Sequence, residues 1–218
     1  MSNSNGTMSP DEFAAELDVS RETINRLQLF LDLLENWQKA INLVGAESLN
    51  DVWRRHMFDS AQLMTYLPRN AQIITDMGSG AGFPGMILSI LLNRPVQLIE
   101  SSSKKVAFLR EAARLSGAQV EIHHGRIEQV IAWESDVIVA RALAPLTALL
   151  AYAEPYLRHG NGKTICLFPK GKTVEGELTQ AHESWNMSVE RFQSLSDSIG
   201  TILRIQDISR DGSDGNKR

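Results

Sequence analysis

The stretch Ile73-Ile74-Thr75-Asp76-Met77-Gly78-Ser79-Gly80-Ala81-Gly82-Phe83-Pro84-Gly85 decides how this chain folds. An apolar run ends in a carboxylate and then breaks into closely spaced glycines, which reads as a strand, a tight turn and a helix start. The glycines let the backbone turn sharply and approach a ligand with no Cβ atoms in the way, and Pro84 suits the first turn of a helix. A nucleotide-like cofactor is expected across this turn.

Two cofactors compete for it. Gly80-Ala81-Gly82-Phe83-Pro84-Gly85 formally satisfies the G-x-G-x-x-G dinucleotide fingerprint, a weak signal by itself. A dinucleotide would rest its pyrophosphate on the N–H groups of the turn, and Asp76, two residues before Gly78, would repel that charge. S-adenosyl-L-methionine carries a sulfonium and an ammonium and no phosphate, so a strand-end carboxylate is a favourable neighbour for it. The order of Asp76, Gly78, Gly80 and Gly82 therefore favours the methyl donor. Val96-Gln97-Leu98-Ile99-Glu100 is a second apolar segment ending in an acid, 22 residues after Gly78. That is close to the spacing of about 20 at which a nucleotide-binding βαβ unit offers a carboxylate to ribose hydroxyls. Both cofactors predict Glu100 equally.

Pattern outward from this turn gives the fold class. Strands are expected at 73–77, 96–100, 119–123, 136–140 and 163–168, alternating with helices at 84–92, 102–115, 143–157 and 172–184. Two further runs, 187–194 and 201–208, have no helix between them. Alternation implies right-handed crossovers and a mostly parallel sheet covered on both faces, closed by an antiparallel hairpin. This is the seven-stranded α/β architecture of class I S-adenosylmethionine-dependent methyltransferases. Before it, Ser9-Pro10-Asp11-Glu12 combines a cap, a first-turn proline and a capping-box acid, and Ser20 opens a helix with Ile24, Leu27, Leu31, Leu34 and Trp37 on one face. A third helical pattern runs from Ser48 through Val52, Phe58 and Leu63 to Pro68. The expected division is a helical subdomain over 1–68 with residues 1–8 disordered, a Rossmann-like domain over 69–208 and a tail over 209–218.

The 218 residues, 43% of them hydrophobic, suffice for one sizeable α/β core with an appendage. No run of eighteen apolar residues and no charged-then-apolar start is present, so a cytoplasmic protein without membrane contact is expected. The single cysteine, Cys166, forms no internal disulfide and makes a cysteine-rich zinc site implausible. A net charge of −4 does not draw nucleic acid to the surface as a whole, so such a partner needs a local basic patch. Arg54, Arg55, Lys104, Lys105 and Lys170 are the candidates, with Arg110, Arg114, Lys163 and Lys172 near them in the pattern.

Several segments together carry a resemblance: Trp37-Gln38-Lys39-Ala40-Ile41-Asn42-Leu43-Val44, His56-Met57-Phe58-Asp59-Ser60, Asp76 to Gly85, Lys104-Lys105-Val106-Ala107-Phe108-Leu109, Ala140-Arg141-Ala142 and Lys170-Gly171. In this order they resemble the RsmG family, also called glucose-inhibited division protein B, over residues 25 to 175. The resemblance implies a bacterial methyltransferase acting on N7 of one guanine in the decoding-region loop of 16S ribosomal RNA, with S-adenosyl-L-methionine as donor. Carried over by position, its cofactor contacts are Gly78, Phe83, Ile127, Glu128 and Arg141. Its partner is 16S rRNA within the small ribosomal subunit or an assembly intermediate, and a monomer is expected.

The residues agree with that substrate mainly by what they lack. A cytosine carbon would need a cysteine nucleophile, and Cys166 lies inside the apolar run Ile165-Cys166-Leu167-Phe168. An exocyclic amine commonly uses an Asn/Asp-Pro-Pro-aromatic loop, where this chain has Asp136-Val137-Ile138-Val139-Ala140-Arg141-Ala142. Guanine N7 bears a lone pair and no proton, so positioning without a general base suffices. Arg141, after an apolar strand, is the catalytic candidate: its fork fits the donor's carboxylate, a phosphate or a guanine edge. His56 and Asp59, at i and i+3, are expected to share a structural hydrogen bond. His123-His124 lacks metal-ligand spacing, and Trp37, Trp53, Trp133 and Trp185 read as packing. Two other classes stay open: an NAD-dependent oxidoreductase and a non-catalytic ribosome-binding module.

Overall fold

A computed structural model describes residues 7–160 and 163–211. Seven strands form one sheet in the order β3-β2-β1-β4-β5-β7-β6. They are β1 (Ile74–Met77), β2 (Val96–Glu100), β3 (Val120–His124), β4 (Val137–Val139), β5 (Ile165–Lys170), β6 (Trp185–Gln193) and β7 (Thr201–Arg210). The first five are parallel, and β7 returns antiparallel between β5 and β6. This is the expected class I topology. The order reverses between β1 and β4, and in such sheets ligands sit in the crevice beyond the carboxyl ends of the strands at that point.

The central strands are buried on both sides, so alternate residues feed two cores. Ile74, Leu98, Val137, Val139 and Leu167 face one core; Met77, Ile99, Ile138, Cys166 and Phe168 face the other. The first core is covered by α1 (Pro10–Leu17), α2 (Arg21–Gln38), α4 (Gly85–Leu92) and α5 (Ser103–Ser116), and the second by α6 (Leu146–His159) and α7 (Val174–His182). Phe13, Leu27, Phe30 and Leu34 pack into one cluster with Phe83, Met86 and Phe108. Burying each such side chain stabilises by roughly 1.5–3 kcal/mol, so the N-terminal helices complete a layer of the sheet domain. A pattern boundary at residue 68 is crossed by packing.

Local chemistry sets the helix ends. Ser9 and Glu12 form the expected reciprocal box, Glu12 N–H donating to Ser9 Oγ at 3.2 Å and Ser9 N–H to Glu12 Oε2 at 2.8 Å. Ordered contact begins before the cap, since Met8 N–H donates to Asp51 Oδ1 at 2.9 Å. Residues 1–6 and 212–218, to which most of the expected disorder and tail were assigned, lie outside the described residues, and β7 runs on to Arg210.

Two expectations are corrected. The third helix is a string of short turns: 3-10 over Ala46–Asp51, π over Trp53–Phe58, one α turn α3 (Asp59–Ala61) and 3-10 over Gln62–Tyr66. Trp53, His56, Met57, Phe58, Ser60, Ala61 and Leu63 are all buried, so no single apolar stripe holds a 3.6-residue period, and the Ser60 hydroxyl bonds back to the His56 carbonyl at 2.7 Å. The helix expected from 143 starts at Leu146 because Pro145 biases the residue before it away from α backbone. Residues 140–145 are left as a loop at the switch point, with Ala142 at φ 52°.

Candidate active site

The glycine turn forms the floor of a cavity of about 520 Å³ at the carboxyl edge of β1, β2 and β4. Gly78 and Gly80 hold φ of 69° and 57°, left-handed backbone that side chains resist. A Cβ on Gly78 would also lie 2.6 Å from Leu143 Cδ1, so loop 140–145 closes directly over this residue. Glu100, 7% exposed, ties the floor to the wall: Oε2 accepts from Gly80 N–H at 2.9 Å and Oε1 from Ser102 N–H at 2.7 Å. A carboxylate has about four acceptor sites, so two remain for a ribose diol.

Phe83, Ile127, Glu128, Lys105 and Arg141 also line the cavity. Asp76 and Gly82 do not. Asp76 is fully buried beneath the turn, where its Oδ2 accepts from Gly85 N–H at 3.0 Å, so it caps α4 from the end of β1. Burial pushes its carboxyl up to about 7, opposed by the Gly85 N–H, the Ser79 hydroxyl and Arg141. Asp76 therefore holds the turn from beneath, where the sequence pattern places it against the charges of the ligand. Gly82 sits against Met86 and Leu109, inside the core.

Arg141 stands where this cavity meets a second groove of about 490 Å³, the two sharing His56, Arg141 and Ala142. Its Nη1 donates to Arg55 O at 3.0 Å and Asp59 Oδ2 at 3.1 Å, its Nη2 to His56 Nδ1 at 2.6 Å. The guanidinium carbon lies 4.9 Å above the Phe83 ring, on which the His56 imidazole also stacks at 4.8 Å. Of five N–H donors, Nε–H and one on Nη2 remain available. His56 is held neutral: burial first, then Arg141 and Arg55, lower its pKa to about 3. An arginine only donates, so Nδ1 accepts and Nε2–H donates to Ser48 Oγ at 2.7 Å. His56 and Asp59 thus share Arg141 instead of bonding to each other, a link the sequence reading missed. Invisible too was the closing of loop 39–44 by Gln38, which takes the Leu43 and Val44 N–H groups and sets Leu43-Val44-Gly45 on the cavity wall.

The basic candidates divide. Arg54 and Arg55 line the second groove, Arg54 also pairing with Asp51 at 3.5 Å. Lys104 and Lys105 stand in the first turn of α5, at the same edge. Lys170 is spent: its Nζ pairs with Glu177 at 2.5 Å and donates to Ala144 O at 3.1 Å, with 9% of the side chain exposed. It braces loop 140–145 and offers no ammonium to RNA. Lys163 precedes β5 and so lies at the opposite edge, and Arg114, near the far end of α5, pairs with Glu111 at 2.6 Å. His123 bonds Gln97 at 2.6 Å and stacks on Trp133, and burial raises the Cys166 thiol, which removes nucleophilic character.

Comparison with known proteins follows the same line. The family model for GidB, rRNA small subunit methyltransferase G, matches residues 23–202. The ribosomal RNA small subunit methyltransferase G of Rhodospirillum rubrum is 49% identical over 93% of this chain and all of its own length. That of Rhodospirillum centenum is 50% identical over 92% of each. Among solved structures, the SAH-bound methyltransferase of Podospora anserina superposes with a TM-score of 0.58 at 13% identity, covering 92% of this chain and 98% of its own.

Proposed function

The chain belongs to the rRNA small subunit methyltransferase G family, and we propose that it methylates N7 of a guanine in 16S ribosomal RNA with S-adenosyl-L-methionine as donor. One observation carries this reading: the glycine-floored cavity and the arginine-lined groove meet at Arg141. A donor and an acceptor placed in them face each other across the shared residues His56, Arg141 and Ala142.

The residues fit the donor. Glu100 has acceptor sites for the ribose hydroxyls, Ile127 and Glu128 border the base end, and the floor, open at Gly80 and covered at Gly78 by Leu143, leaves an aminoacyl chain to run along the turn. When bound, S-adenosyl-L-methionine supplies an electrophilic methyl group, and guanine N7 supplies a lone pair without a proton. Among the groups around Arg141, His56 is neutral with both nitrogens engaged, and Asp59 is engaged by Arg141, Gln62 and Ser196. None is poised as a base, and none is required. The work left to the protein is to align, exclude water and hold the RNA by Arg54, Arg55, Lys104 and Lys105, gains that arise from pre-organised geometry. Arg141 is the positioning cation at the junction.

With few local cations on an acidic chain, binding does not rest on counterion release over many phosphates, so a structured target is needed: the small subunit or an assembly intermediate, in the cytoplasm, met by a monomer. Among the described residues no helix is long and apolar enough to cross a membrane. The oxidoreductase and non-catalytic readings have no observation in their favour that this one lacks. The test is chemical. N7 methylation labilises the glycosidic bond, so borohydride and aniline cut the RNA at that base in cells with the protein and leave it whole in cells without it. Cleavage independent of the protein, or a methyl on carbon, ribose or exocyclic amine, overturns the assignment.

A further inference from the structure

We infer that Asp197, on the turn between β6 and β7, reads the Watson–Crick edge of the target guanine, an inference that rests on the guanine methyltransferase reading above. The second groove is lined by Ser48, Arg54, Arg55, Arg141 and three carboxylates, Asp51, Asp59 and Asp197. A groove that receives a polyanion repels carboxylates unless each is neutralised or meets a hydrogen-bond donor. Asp51 is neutralised by Arg54 and the Met8 N–H, and Asp59 by Arg141, Gln62 and Ser196. Asp197 differs. Its Oδ1 accepts from Ile199 N–H at 2.9 Å, no group of the described residues bonds Oδ2, and the residue is exposed.

The turn is built to hold it still. Ser194 Oγ accepts the Ser196 and Asp197 N–H groups at 3.2 and 3.3 Å, Gly200 N–H donates to Asp197 O at 3.0 Å, and Gln193 Nε2 donates to Asp197, Ser198 and Gly200 carbonyls. Gln62 then anchors the turn to the Arg141 side of the groove, accepting from Leu195 N–H at 2.8 Å and donating to Ser194 and Ser196 hydroxyls at 3.1 Å. A carboxylate with one unused oxygen on a braced turn, lining the same groove as the held guanidinium of Arg141, selects what lies between them.

Guanine alone among the bases presents two adjacent donors, N1–H and the N2 amine, on one edge; adenine and cytosine place an acceptor there, and uracil flanks its single N–H with carbonyls. A carboxylate accepts both guanine donors at once. N7 lies on the opposite edge of the same base, so a guanine held by Asp197 turns N7 away from the turn and toward the junction at Arg141. Phosphates fall to Arg54 and Arg55.

The test compares subunits assembled on 16S RNA carrying guanosine or inosine at the methylated position, inosine retaining N7 and N1–H but lacking the amine. The native enzyme is expected to lose about tenfold or more in kcat/KM on inosine, one charge-assisted hydrogen bond. Asp197→Ala is expected to methylate both targets at one reduced rate, erasing that ratio. Asp197→Asn, which turns an amide donor toward the guanine donors while keeping the Ile199 bond, falls below the alanine variant. S-adenosylhomocysteine affinity stays at the native value in both, which reports an intact fold and donor site. An unchanged guanosine-to-inosine ratio in Asp197→Ala overturns the inference while leaving the guanine methyltransferase reading intact. Native enzyme that methylates no guanine overturns both.

Discussion

The floor under the larger cavity comes from one uninterrupted piece of chain, Asp76 to Gly85, whereas the groove beside it joins Arg141 to His56, 85 positions away, and Asp59 to Ser196, 137 positions away. The floor is made of backbone: left-handed glycines, N–H groups and a buried aspartate that caps a helix. The groove is made of side chains that hold one another. A site made of backbone is specified by short-range spacing; a site made of side chains exists only once distant elements have packed. The two halves therefore fail in different ways when perturbed.

The largest effect belongs to the floor. Gly78→Val puts side-chain atoms into Leu143 and forces a β-branched residue to positive φ, so binding of S-adenosylmethionine and its demethylated product is expected to fall at least about 100-fold. Calorimetry measures it, and undiminished binding would show that the donor does not lie on this floor.

On the groove side, Arg141→Lys keeps a charge but cannot serve Asp59, His56 and the Arg55 carbonyl together. Turnover is expected to drop at least about tenfold, or 1.4 kcal/mol. Because Asp59 and His56 lose a partly buried partner, stability falls too, by about 1–3 kcal/mol. A variant with native turnover and native melting temperature returns Arg141 to an ordinary surface residue.

His56 makes the groove pH-sensitive. Its folded pKa, about 3, lies below the ordinary value near 6.5, so the unfolded chain binds the extra proton and stability is lost as pH falls through that window. The slope is at most about 1.4 kcal/mol per pH unit. His56→Asn, whose amide oxygen replaces Nδ1 as acceptor for Arg141, should flatten the urea midpoint between pH 7 and pH 5 relative to the native protein. Equal slopes in the two proteins would show that the imidazole is not held neutral.

The smallest effects separate the cations. Arg55→Ala should reduce the salt slope of RNA binding by about 0.7–0.9, one phosphate contact. Lys170→Met should leave that slope alone and destabilise the fold, since it takes from Glu177 its charge partner and leaves only the Leu146 N–H and the Thr173 hydroxyl on the carboxylate. A salt slope that moves with Lys170 would put its ammonium back among the RNA contacts.

The same contrast governs what could be read in advance. The acid-glycine-glycine spacing of 76–85 and the second acid at 100 pointed to the edge of the sheet where the cavity lies, because a turn that must accept a ligand needs particular residues at fixed offsets. Glu100 stands as expected on the wall. Asp76 was found for the wrong reason: nothing in its spacing says whether a strand-end carboxylate faces the ligand or turns beneath to take the Gly85 N–H. Lys170 was misread because its partners, Ala144 and Glu177, come from two other elements. The helical pattern over 48–68 hid a π turn, since a segment buried on all sides carries no periodic signal.

By itself the sequence determined the sheet with its closing hairpin, both strand-end acids and the glycine floor, since alternating burial and backbone conformation are properties of neighbours along the chain. Only the tertiary structure decided that Arg141, His56, Asp59 and Ser48 form one network and that the β6–β7 turn faces it. Those contacts arise from helices and strands packing on one edge of a sheet, and no spacing along the chain encodes which side chains meet there.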